Sequence, residues 1–188
     1  MSYLDRIRAC NNFDPANYVS FEIDGSRVGW VRRDNARYLA AHGMVFEIAE
    51  RRVALVRKLE TVEERSAALA RVVDKLAADG KVPKPRNELY PVTEAFIDPP
   101  FALIERSAVP FFGVRASGVH MNGYVRRDDG IHMWVARRAR DKITYPGMLD
   151  NIVAGGQPHG LDLRENMIKE CGEEAGIPEE IAQHVIPV

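Results

Sequence analysis

The chain has 188 residues, 46% hydrophobic and 28% charged, with a formal net charge of −1. These values describe an ordinary soluble globular chain of one large or two small domains, and they exclude the charge excess that steers proteins to nucleic acid or membrane surfaces. Two cysteines, Cys10 and Cys171, are too few for a disulfide framework or a zinc site, and with no membrane-length apolar stretch or signal-type segment the expected compartment is the cytoplasm.

In chain order, residues 2–10 read as a short helix with Leu4 and Ile7 at helical spacing. Residues 18–31 read as a hairpin: YVSFEID alternates, Asp24-Gly25 is a turn pair, and SRVGWV returns, with Trp30 expected in the core. Residues 34–42 place Ala36, Leu39 and Ala40 on one helical face before Gly43. Two short strands are expected around Glu50-Arg51. The best helix of the first half begins at Thr61, which forms a capping box with Glu64; Leu69, Val72, Val73 and Leu76 make its buried stripe and Gly80 ends it. Pro83, Pro85 and Pro91 then mark an extended segment around a strand-like ELY. After Pro99 the apolar run PFALIERSAVPFFGV is expected to bridge two domains, residues 1–108 and 109–188.

From Phe112 the pattern favours strands. VRASGVHMNGYV alternates, Asp128-Asp129-Gly130 is a turn, and IHMWVARRA puts Ile131, Met133 and Val135 on one side. ITYPGMLDNIVAGG leads to residues 155–177, GGQPHGLDLRENMIKECGEEAGI. A glycine pair opens this stretch, a helix-compatible run follows, and Gly176 closes it. Glu170, Glu173 and Glu174 have offsets that fall on one helical face. Three like charges there repel, and a hard divalent cation reverses the sign of that cost. The bland reading of the same residues is a solvated acidic helix face.

Residues 155–177 resemble the Nudix box, the signature of the Nudix hydrolases. Gly155, Glu170, Cys171, Glu173, Glu174, Gly176 and Ile177 fall on positions of that pattern. Leu161 and Lys169 depart from it, standing where the family has a Glu and an Arg that usually pair. Their joint change is read as a variant support for the loop. The lead-in and the preceding domain resemble a subgroup related to thiamine pyrophosphokinase. The resemblance implies an α+β chain: an N-terminal mixed α/β domain over residues 1–108, then a Nudix α/β/α sandwich over 109–188 cut short after its first helix. That would leave an open sheet edge through which a homodimer could form.

What the resemblance implies about chemistry is a Mg²⁺- or Mn²⁺-dependent diphosphatase. Glu170 and Glu173 are the expected catalytic residues. Glu170, Glu173, Glu174 and the main-chain carbonyl of Gly155 are the expected metal ligands. The expected partner is a small diphosphate, released as monophosphate plus phosphate: thiamine diphosphate, especially oxidised forms, or an oxidised nucleoside diphosphate such as 8-oxo-dGDP. A non-catalytic binding module or inactive fragment is the reading from another class. Arg137, Arg138 and Arg140 suit phosphate oxygens, against a solvated strand end. Tyr145 and Trp134 suit ring stacking, against roles in the core; His159 suits a place near the expected phosphates, against a solvated loop residue.

Overall fold

A computed structural model describes residues 2–142 and 145–188; Ile143 and Thr144, at the start of the lead-in segment, lie outside the described residues. The backbone is α+β and forms two compact units, Met1–Arg115 and Ala116–Val188.

In the first unit, helix α1 (Tyr3–Cys10) is capped by Ser2 and buries no residue. Strands β1 (Tyr18–Ile23) and β2 (Ser26–Arg32) form the expected hairpin, with Tyr18 opposite Arg32. Both turn residues, Asp24 and Gly25, have positive φ (51° and 82°), the primed-turn geometry that matches strand twist. Helix α2 (Arg33–Leu39) continues as a single 3₁₀ turn and leads to the hairpin of β3 (Phe46–Ala49) and β4 (Arg52–Leu55). Parallel pairing of β1 with β4 joins the hairpins into one sheet, ordered β2-β1-β4-β3.

Helix α3 (Val62–Ala78) has its Thr61/Glu64 capping box in place and packs on β6 (Ala102–Glu105), which pairs with β5 (Leu89–Val92). Arg65, 7% exposed, ties this layer together. Its Nε donates to Leu59 O at 2.9 Å, its Nη1 to Phe101 O at 3.3 Å, and its Nη2 pairs with Asp24. Trp30 is half-buried rather than core: its ring lies 5.5 Å from Phe13, and the Arg27 guanidinium sits 4.6 Å above it.

The run expected to bridge two domains belongs wholly to the first unit, so the division falls after Arg115 and not after residue 108. Helix α4 (Val109–Phe112) buries Val109, Phe111 and Phe112. Trp30 N donates to Gly113 O at 3.1 Å, and Gly29 bridges to Val114. That contact requires two glycines. Gly113 has a φ of 59° and no room for a Cβ against Trp30, while a Cβ on Gly29 would come within 2.6 Å of Phe112 O.

In the second unit, β7 (Gly118–Met121) pairs with β12 (Val153–Gly156), β8 (Tyr124–Arg127) with β9 (Gly130–Met133), and β10 (Ala136–Arg137) with β11 (Leu149–Asp150). Among the described residues these are three two-stranded ladders in place of one continuous sheet. Every residue of β8 and β9 is exposed. Ile131, Met133 and Val135 are 54–60% exposed, so their alternation does not mark a buried face here. Helix α5 (Leu163–Ala175) packs on β12 and β7, and α6 (Glu179–Ala182) packs on α5. Among the described residues no helix is long and apolar enough to cross a membrane.

Candidate functional site

Helix α5 starts and stops on local signals. Asp162 accepts hydrogen bonds from the amides of Arg164 and Glu165 and completes a capping box with the Glu165 side chain. Gly176, at φ 61°, closes the helix by donating its N–H to Cys171 O. The buried stripe is Asn166, Met167, Glu170 and Cys171. Val153, Met167, Cys171 and Ala182 form the local core, with Val119 and Met121 against them. Burial pushes the Cys171 thiol above its ordinary range, which suits a packed, unreactive cysteine.

The three glutamates leave this helix towards different partners. Glu170 is 7% exposed and lies directly on Gly155, so closely that a Cβ there would overlap its carboxyl group. Glu173 is exposed, and its Oε2 is 2.9 Å from Lys169 Nζ. The same ammonium is 3.3 Å from Glu170 Oε1. Glu174 Oε2 accepts the Ala154 N–H at 2.9 Å, which fastens the helix end to β12. Hydrogen bonding to Glu173, together with the charge of Glu170, holds the Lys169 ammonium above its ordinary pKa. The last turn of α5 carries Glu173 and Glu174 and no basic residue, an arrangement the helix dipole disfavours.

The end of β12 and the loop before α5 are held by two amide side chains that sequence reasoning passed over. Asn166, fully buried, donates from Nδ2 to Gly156 O at 2.8 Å and to Gln157 Oε1 at 2.9 Å. Gln157, 8% exposed, donates from Nε2 to Leu161 O at 2.5 Å. Leu161 thus supports the loop through its carbonyl, while Lys169 turns to the glutamates. The one available signal was a polar residue, Asn166, inside the buried stripe of an amphipathic helix.

His159 is exposed. Arg138 pairs with Asp150 at 2.7 Å, and Arg137 donates to Gly147 O at 2.8 Å. Trp134 and Tyr145 are 60% and 72% exposed, so neither is a core residue in this structure.

The donor chemistry fits a hard divalent cation. All the donors are oxygens, and Mg²⁺ needs only one or two protein carboxylates beside water and substrate phosphates. Lys169 shows that Glu170 and Glu173 already converge on one cationic group. The site is an open pair and not a closed cage: among the described residues, no group of three or more His, Cys, Asp or Glu side chains is gathered to hold a metal ion.

Comparison with known proteins gives two results. The profile described as "Domain of unknown function (DUF4743)" matches residues 2–116, ending beside the boundary between the two units. A protein of Arabidopsis thaliana named Nudix hydrolase 24, chloroplastic, is 40% identical across 99% of this chain and 52% of its own length. Nudix hydrolase 20, chloroplastic, of the same plant is 39% identical across 99% of this chain and 53% of its own. An uncharacterized protein of Saccharomyces cerevisiae is 29% identical across 92% and 53% respectively. The chain therefore spans about half the length of the curated relatives it matches.

Proposed function

We propose that this chain, which belongs to the family of the domain of unknown function DUF4743, carries the cation-binding helix of a Nudix-type hydrolase that splits a diphosphate into a monophosphate and phosphate. The observation that carries the reading is the seating of Glu170 on Gly155, where it shares a cation with Glu173. The names of the two plant relatives support the same class of chemistry.

In this reading Glu170 and Glu173 would hold Mg²⁺ or Mn²⁺; the Gly155 carbonyl and Glu174, whose Oε2 accepts the Ala154 N–H, are further ligands only on the strength of the family resemblance. When bound, the cation would supply charge neutralisation for phosphate oxygens. Glu170 takes the proton from the attacking water as oxygen adds to phosphorus, and its packing against Gly155 keeps the carboxylate in place. The substrate we propose is thiamine diphosphate, oxidised forms above all, on the strength of the resemblance of the lead-in and first domain to the thiamine-pyrophosphokinase-related subgroup.

The test is hydrolysis of thiamine diphosphate, oxidised thiamine diphosphate and 8-oxo-dGDP with Mg²⁺ or Mn²⁺, by the native chain and by Glu173→Gln. Turnover should fall at least ~100-fold in the variant, the scale for removing one key electrostatic group. Near-normal rates at saturating metal would sink the assignment. A kcat/KM for the oxidised thiamine compound at least ~10-fold above that for 8-oxo-dGDP is expected, since one well-placed polar contact discriminates by more than that. The reverse order keeps the hydrolase and removes thiamine. Metal binding with no hydrolysis of any diphosphate favours the non-catalytic module.

A further inference from the structure

We propose that Gln157 and Asn166 are positioning residues, an uncharged brace that sets the distance between the end of β12 and α5 and so holds Gly155 against Glu170. The inference rests on the metal reading above and deepens it. Asn166 lies one helical turn before Glu170, and its partner Gly156 directly follows Gly155. Both Nδ2 protons are spent on acceptors, Gly156 O and Gln157 Oε1, so the orientation of the amide is settled by its neighbours. Gln157 passes the restraint on to Leu161 O, and its own N–H donates to Ser117 O at 2.9 Å, extending the β7–β12 ladder. The helix, the end of β12 and the loop therefore meet at two side chains, and the Gln157 main chain ties them to the residue before β7.

The pair carries no formal charge, which matters beside Glu170: a brace made of ions would add to the field at the carboxylates. It also carries a cost. Asn166 Oδ1 is buried and finds no donor among the described residues. A buried acceptor without a partner works against the fold, and an apolar side chain at 166 would avoid it. An amide here is explained by what its other end does, which is to fix the carbonyl of Gly156.

The experiment measures Mn²⁺ binding to the 188-residue chain by electron paramagnetic resonance, with the melting temperature recorded for each form. The forms are wild type, Asn166→Ala, Gln157→Leu, and Gln157→Leu combined with Leu161→Glu and Lys169→Arg. Outer-shell partners of metal ligands typically govern affinity by ~10- to 100-fold, and a loss of that size is expected in both single variants. The triple variant supplies an ion pair at the positions where the Nudix pattern has one, and it should recover most of the loss. Leu161→Glu alone should gain little, because the loop is already braced. Unchanged Mn²⁺ affinity in a folded single variant overturns the proposal. So does a loss that the triple variant fails to recover, or unfolding of both single variants without rescue, since either outcome leaves the pair a role in the fold alone. A wild-type chain that binds no Mn²⁺ removes the metal reading itself.

Discussion

Gly155 shows how much one missing methyl group sets in this protein. Its Cα faces the Glu170 side chain, and a Cβ would overlap the carboxyl carbon and an oxygen. The group that must move is a side-chain end and not backbone, so Gly155→Ala should fold. What it should lose is the position of Glu170: Mn²⁺ affinity and any diphosphate hydrolysis are expected to fall by ~10-fold or more, the scale on which displaced ligand supports act. Gly172 provides the contrast. It lies within α5, and nothing lies within 4 Å of a Cβ built there. Gly172→Ala should stabilise the chain by about 0.5–1 kcal/mol through helix propensity alone, with metal binding unchanged. Urea unfolding of both variants checks the pair. Equal effects on metal binding at 155 and 172 would remove the special role of the first.

At the scale of elements, an ion pair links the short strands β10 and β11 of the second unit. Arg138 follows β10, and Asp150 ends β11. The hydrogen bond from Arg138 holds the Asp150 carboxyl below its ordinary pKa, against the opposing effect of burial. A lowered folded-state pKa means stability present above the unfolded value, about 4, and lost as pH falls through the folded one. Wild type should therefore lose stability on acidification below about pH 4 more steeply than Asp150→Asn; identical slopes in acid unfolding would dismiss the pair. Such pairings were not legible in the sequence, whereas capping and turn signals were. Thr61 with Glu64 and Asp24 with Gly25 act within a few residues, and both sit in the structure as the sequence implies. The one-face spacing of the glutamates was legible for the same reason. The placement of residues 109–114 was not, because it depends on Gly29 and Gly113 meeting across more than eighty residues of chain. Gln157 and Asn166 escaped notice because they bond each other and main-chain carbonyls, and a bond to a main-chain carbonyl carries no sequence signature.

For the whole molecule, the telling quantity is how unevenly the apolar core is divided. The first unit buries Phe21, Ile23, Val31, Leu39, Leu69, Leu76, Ile104 and Phe112 with many neighbours in one cluster. The core of the second unit, among the described residues, is Val153, Met167, Cys171 and Ala182 with partly buried residues around them. Its Ile131, Met133, Trp134, Met148 and Leu149 stay more than half exposed. A core of a few side chains in a stretch of roughly 70 residues supplies only about 3–5 kcal/mol, while backbone ordering opposes it throughout. A fragment of residues 1–115 should thus unfold in one sharp transition, and a fragment of residues 116–188 in a shallower one at lower urea. The intact chain carries a natural reporter in each unit, because its two tryptophans are Trp30 and Trp134. Fluorescence of Trp134→Phe then follows the first unit and that of Trp30→Phe the second. The Trp134 signal should change at lower urea than the Trp30 signal, and saturating Mn²⁺ should raise only the former midpoint, since a ligand stabilises the unit that binds it. Coincident midpoints, unmoved by Mn²⁺, would show that the two cores unfold together and that the cation gives the second no support.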